Sequence, residues 1–148
     1  MTSTSDELLL TIHKYDIDNA AMSVTWLKDN TLLLDHVNIP DYDLFFNNRE
    51  KIKGGGVGCY AKSSLKVKRK KSFEELDPEI EQLWLEIPGR NKHSCMLMGV
   101  LYRSTKFLTT TEWHHHFEAL LHNLKSSWDK PLLIAGDMNL AILKLDNK

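Results

Sequence analysis

Cys95-Met-Leu-Met-Gly-Val-Leu-Tyr102 is an unbroken run without a charge, and it reads as a central strand covered on both faces. Working forward, Trp113, Phe117, Leu120, Leu121 and Leu124 recur at helical spacing, and Thr109 with Glu112 has the form of a capping box at the helix start. Pro131 then leads into Leu132-Leu-Ile-Ala135, read as a second buried strand, which ends at Gly136-Asp-Met-Asn139. Strand, helix and strand in that order favour a parallel pair joined by a right-handed crossover. Both strands then end on one edge of the sheet, so Tyr102 and Arg103 are expected near Asp137 and Asn139.

Working backward, Leu83, Leu85 and Ile87 alternate with Trp84 and Glu86, the period of a half-buried strand. Pro88-Gly-Arg-Asn91 is a turn by composition, so this strand and the central one predict a hairpin. Residues 20–27, Ala-Ala-Met-Ser-Val-Thr-Trp-Leu, make a short strand, and Leu44-Phe-Phe46 after Pro40-Asp-Tyr-Asp43 a second. Gly54-Gly-Gly56 opens Val57-Gly-Cys-Tyr-Ala61, where three glycines let another backbone or a ligand approach closely. No repeat or proline-rich linker divides the chain. We read one α/β domain over residues 15–148, preceded by a segment over 1–14 expected to be poorly ordered or helical.

Composition agrees with a single folded unit: 148 residues, 42% hydrophobic and 26% charged, allow one modest core. The longest apolar run is far short of the roughly 20 residues that span a bilayer, so no membrane partner is expected. An acidic pair, Asp6-Glu7, stands where a secretory signal carries basic residues. Cys59 and Cys95 both lie in apolar runs and read as buried free thiols. A nuclear or cytoplasmic protein is the expectation.

The net charge of -1 hides an asymmetry. Residues 49–71 hold nine basic residues against one acid, densest at Lys66-Val-Lys-Arg-Lys-Lys71. Lys66, Lys68 and Arg69 are therefore candidate contacts to phosphate, and the competing reading is a solvated hairpin tip or loop.

Asp137 and Asn139, one residue apart at a strand end, share a side of the sheet if the strand continues that far. A carboxylate beside an amide suits a divalent ion, an attacking water or a phosphate oxygen. Equally, Asp-x-Asn forms a turn that caps its own backbone. His114, His115 and His116 cannot converge on one ion, because consecutive helical residues diverge by about 100°. They read as solvent-facing, with His114 and Glu118 the one pair spaced for a shared ligand. Trp26, Trp84 and Trp113 read as core, and Trp128 as part of a connector.

Five blocks in order carry a resemblance: Met22-Ser-Val-Thr-Trp-Leu27, Gly54-Gly-Gly-Val-Gly-Cys-Tyr60, Glu81-Gln-Leu-Trp-Leu-Glu-Ile87, Gly99-Val-Leu-Tyr-Arg103 and Ile134-Ala-Gly-Asp-Met-Asn139. Together they resemble the endonuclease/exonuclease/phosphatase superfamily, specifically the endonuclease domain of jockey-type non-LTR retrotransposons. The resemblance implies a four-layer α/β sandwich that cleaves a DNA phosphodiester with Mg2+ by in-line attack of water. It assigns Asp137 to orienting the nucleophile and Asn139 and Tyr102 to the phosphate, with Arg103 available for charge stabilisation.

Departures from the family pattern shape the functional expectation. The family's Glu-Thr-Trp-Leu supplies the principal magnesium ligand, and Val24, with no oxygen to offer a hard cation, stands in that glutamate's place. Residues 1–14 contain no asparagine to match the family's first active-site strand, and no histidine follows Asn139. We therefore expect a sandwich incomplete at both ends, catalytically impaired, doubtful in magnesium binding and prone to association through open sheet edges. The alternatives are a working phosphodiesterase, or a non-catalytic nucleic-acid-binding module using residues 49–71. No partner protein is inferred.

Overall fold

The computed structural model describes residues 2–23, 38–47, 56–104 and 108–139. Helix α1 (Thr2–Lys14) ends in Lys14, a cation placed against the negative end of the helix dipole. Strands β1 (Asn19–Ser23), β2 (Tyr42–Asn47) and β3 (Val57–Lys62) form the first sheet, in the order β1-β3-β2 with both pairs antiparallel. A single 3-10 turn, Ser63–Leu65, closes on Lys66 in the left-handed region at φ 53°. Next come β4 (Lys68–Arg69) and a one-turn helix, α2 (Lys71–Glu74). The hairpin of β5 (Glu81–Ile87) and β6 (Met96–Tyr102), helix α3 (Thr110–Ser127) and β7 (Leu132–Asp137) complete the chain. The second sheet runs β4-β5-β6-β7, antiparallel except for the parallel pair β6-β7.

Strand alternation divides the apolar side chains among three interfaces. Leu83, Leu85, Met98 and Val100 face the first sheet, where Val57, Cys59 and Ala61 of β3 meet them. The opposite faces of β5 and β6 carry Trp84, Leu97 and Leu101 against Trp113, Leu120 and Leu124 of α3. On the outside of the first sheet, Ile12 of α1 packs with Tyr42 and Tyr60. The layers are thus α1, first sheet, second sheet and α3, the expected four-layer α/β sandwich.

Local sequence signals account for most of these elements. Glu112 N–H donates to Thr109 Oγ1 at 3.2 Å and Thr109 N–H to Glu112 Oε2 at 2.9 Å, so the capping box satisfies donors at both positions. Gly99, in mid-strand, pairs with Trp84 on β5, and a Cβ at Gly99 would lie 2.3 Å from the Trp84 ring. The glycine therefore makes the space that lets Trp84 be fully buried. Gln82, 1% exposed, spends every polar atom: its Nε2 donates to the Glu74 and Asp77 carbonyls and its Oε1 accepts from Trp84 Nε1.

Trp84 and Trp113 are core, as expected, and Cys59 and Cys95 are buried and free. Trp128 packs edge-on against Phe73. Val24, Trp26, Gly54, Gly55 and residues 140–148 lie outside the described residues.

Three expectations are corrected. β7 is not a buried strand: Leu132 and Leu133 are 38% and 48% exposed, because among the described residues β7 is the last strand in the order of its sheet and pairs with β6 alone. The basic run is not a free loop: it supplies β4 and starts α2, and Arg69 is held by Glu74 through Nε at 3.0 Å and Nη2 at 2.6 Å. His114 and His115 face solvent, but His116 is half-buried, its Nδ1 lying 2.7 Å from Asp77 Oδ2. No helix among the described residues is long and apolar enough to cross a membrane.

Candidate functional site

The register of the second sheet sets Glu81, Tyr102 and Asp137 side by side on three adjacent strands, Glu81 opposite Tyr102 and Tyr102 opposite Asp137. In-register neighbours point to the same face of a sheet. Here that is the face shared with Leu83, Leu85 and Val100, toward the first sheet. The row therefore stands at the mouth of the sandwich. Across that mouth Ser23 and Asn47 both pair with Val57, so the ends of β1 and β2 arrive at the same place.

Hydrogen bonds hold the two sheet ends together. Gly56 N–H donates to Glu81 Oε2 at 2.9 Å, with Gly56 at φ 90°, a conformation that favours glycine. Asn47 Nδ2 donates to the Gln82 carbonyl at 2.8 Å. Gly56, the described member of the glycine stretch, thus brings its backbone within hydrogen-bond distance of another element.

The strand stops at Asp137. Asn139 lies in the left-handed region at φ 47°, and its N–H donates to Asp137 Oδ1 at 3.1 Å. This is the self-capping turn, so the expectation that both side chains share a strand face is corrected: a left-handed residue breaks the two-residue period. Asn139 turns its amide back instead, Nδ2 donating to the Arg103 carbonyl at 2.6 Å. Asp137 is exposed at the end of the row.

Arg103 is found beside these residues but in an unexpected state. It is 5% exposed, donating from Nη1 to the Asn139 carbonyl at 2.7 Å and from Nη2 to Thr110 Oγ1 at 2.8 Å. Its backbone N–H donates to the Asp137 carbonyl at 2.9 Å. Its Nε is buried without an acceptor among the described residues. Arg103 itself lines a small cleft together with Tyr102, Glu81, Ser104 and Trp113.

Tyr102, Arg103, Asp137 and Asn139 are therefore gathered as anticipated, whereas Lys66, Lys68 and Arg69 are not with them. Lys68 pairs with Glu86 near the far end of β5, five residues from Glu81 and three strands from β7. At roughly 3.4 Å per residue and 4.8 Å per strand, that is about 22 Å from Asp137. Glu81 and Thr110 were missed as members of the site. Counting back along the hairpin from the turn was the available signal for Glu81; for Thr110 there was none.

The chemistry of the donor set bears on the expected magnesium. Among the described residues no group of three or more His, Cys, Asp or Glu side chains converges on a point. Asp137 Oδ1 and Glu81 Oε2 each already accept a backbone N–H. The second oxygen of each carboxylate, Asp137 Oδ2 and Glu81 Oε1, is the donor that a hard cation at this sheet end would draw on.

No family model matches the sequence, and no curated protein does. Solved structures do match it. D. rerio TDP2 complexed with single strand DNA product aligns with a TM-score of 0.66 at 15% identity, over 97% of this chain and 56% of that one. A humanized D. rerio TDP2 carrying 14 mutations aligns at 0.65 and 14%, over 97% and 58%. ANGEL2, described as a 2',3'-cyclic phosphatase, aligns at 0.61 and 16%, over 90% and 42%. The chain spans little more than half the length of the TDP2 structures. At these identities the likeness is one of fold: this chain shares with these structures the four-layer α/β sandwich described above.

Proposed function

We propose that this chain is a phosphodiester-binding domain of the DNA-cleaving type found in jockey-like retrotransposons, in which hydrolysis is impaired. The observation that carries the reading is the assembly of Tyr102, Asp137 and Asn139, far apart in sequence, at the open end of one sheet. A neighbour of the same fold holds a single-stranded DNA product. Tyr102 and Asn139 bind phosphate oxygens and Asp137 orients water toward phosphorus. Impairment follows from Val24, which brings no oxygen where the family places its principal magnesium ligand.

Plasmid nicking with and without magnesium, beside an Asp137→Ala control, tests the chemistry. Nicking no greater than in the control is expected, and magnesium-dependent nicking lost in the control would overturn the impairment. Fluorescence anisotropy with a labelled single-stranded oligonucleotide tests the site: Asn139→Ala should weaken binding, and unchanged affinity would overturn it.

One observation favours a second reading. Lys66 and Lys68 stand exposed at the β4 edge with no ion pair among the described residues. If that edge rather than the row carries the nucleic acid, neutralising both lysines lowers the affinity and its salt slope, while Asn139→Ala does neither.

A further inference from the structure

We infer that Arg103 is a positioning residue for the Asp137-Asn139 turn and makes no contact with the phosphodiester. The inference deepens the proposed function and rests on it for its functional consequence. Its geometry is independent. Tyr102 and Arg103 are consecutive at the end of a strand whose ladder continues through the Arg103 N–H, so their side chains leave opposite faces of the sheet. Tyr102 goes toward the first sheet, with Asp137 beside it; Arg103 goes toward α3, where Thr110 in the first helical turn receives its Nη2. Arg103 does line the small cleft at this sheet end together with Tyr102 and Glu81, so what keeps it from a phosphate there is the engagement of its guanidinium and not distance.

The hydrogen bonds explain what it does there. Arg103 and Asn139 are joined twice, Nη1 to the Asn139 carbonyl and Asn139 Nδ2 to the Arg103 carbonyl. This reciprocal clasp holds a residue that is at φ 47°, a conformation that side chains other than glycine adopt at some cost. Through the Asn139 N–H it also fixes Asp137 Oδ1. With the whole group 5% exposed and Nε buried too, turning the guanidinium toward substrate would forfeit both of its hydrogen bonds. Anchoring by Thr110 ties the turn to the rigid start of α3.

The test uses the full chain, uniformly labelled with 15N, and the variants Arg103→Met and Thr110→Val. Solvent exchange of the Asn139 backbone amide should accelerate at least about tenfold in Arg103→Met, and less in Thr110→Val, while the Leu101 amide keeps its protection. Unchanged exchange at Asn139 in both variants overturns the inference, whether or not the chain binds nucleic acid. If Arg103→Met fails to fold, Thr110→Val alone decides, since it withdraws one acceptor and leaves the charge in place. Oligonucleotide binding supplies the second readout. A positioning residue leaves the salt slope as in the parent chain, and its loss of affinity does not add to that of Asn139→Ala. A slope reduced by about 0.7, the value for one phosphate contact to a single strand, or additive losses, would make Arg103 a direct contact and overturn the inference. Failure of the parent chain to bind the oligonucleotide would instead count against the proposed function, with amide exchange still deciding the role of Arg103.

Discussion

Gly136→Ala should be among the most damaging single-methyl changes this chain can suffer. Gly136 pairs with Leu101 in the parallel ladder one step before the Tyr102-Asp137 pair, at φ 144°. A Cβ built there lies 1.8 Å from the Leu101 carbonyl oxygen. The obstacle is backbone of the central strand, which has no rotamer into which to retreat. Two costs add. Holding a non-glycine residue at this φ is worth on the order of 1–3 kcal/mol. Relieving the clash means parting β6 from β7 locally, with one or two ladder hydrogen bonds lost at about 1 kcal/mol each. A total of about 2–5 kcal/mol is a large share of the roughly 5–15 kcal/mol that stabilises a domain. Urea unfolding followed by tryptophan fluorescence measures it, with Gly99→Ala as comparison. There the Cβ meets the Trp84 ring at 2.3 Å, a side chain that can shift, so overpacking of about 1–3 kcal/mol is expected. A loss below about 1 kcal/mol for Gly136→Ala, or a larger loss at Gly99, would refute the reasoning.

Other expectations follow from single features. Burial pushes the Cys59 thiol up to about 12 from 9.0, so it should resist a disulfide reagent at pH 8 until urea is added; prompt reaction in the native chain would contradict its burial. Because the folded value lies above the unfolded one, this thiol's contribution to stability is fully present below pH 9 and is lost between about 9 and 12. Cys59→Ala should remove that part of the alkaline loss, measured as the change in urea midpoint with pH. Thr109→Ala removes the acceptor for the Glu112 N–H and should cost about 1 kcal/mol in the same unfolding assay. The Glu112 carboxyl, held low first by the Thr109 backbone N–H, should give that cap a stability present above the ordinary carboxylate range and lost on acidification through its folded pKa. Trp113→Ala, at 2% exposure against Leu120 and Leu124, should cost about 3–5 kcal/mol.

What was legible in the sequence was what is written locally. The run from Cys95 to Tyr102 is buried on both faces, and apolar composition records that burial directly. The helix announces itself by Thr109, Glu112 and its apolar spacing, all within a few turns. The exposure of Leu132 and Leu133 is not local: it depends on which strand stands next to β7, and no pattern inside Leu-Leu-Ile-Ala records a neighbour. Arg103 shows the same difficulty at the site. A charge is read as exposed because burying it is costly, and only the spatial meeting of Asn139 and Thr110 makes that cost bearable. The turn at Asp137 was ambiguous because the residues that extend a strand end also close an Asx turn, and the outcome was decided by the backbone of Asn139. Two-residue β4 is below the length at which alternation has any meaning.

The scaffold and the chemistry of this site separate, and that separation can be tested at Val24. The bonds that sew the mouth of the sandwich together, Gly56 to Glu81, Asn47 to Gln82 and the Arg103-Asn139 clasp, involve no group that must change charge or bind an ion. Nothing in them depends on a glutamate at position 24. The scaffold should therefore accept Val24→Glu, which follows directly on Ser23, the partner of Val57 at that mouth. If the missing oxygen is what limits metal binding, the variant gains magnesium affinity while the parent chain has little. A ligand at ten times its Kd raises stability by about 1.4 kcal/mol, a melting shift of several degrees for a domain of this size. Thermal melts at 10 mM magnesium should thus separate Val24→Glu from the parent. Equal shifts in parent and variant would show that Val24 is no impediment; no shift in either would move the impairment away from position 24 and onto the rest of the donor set.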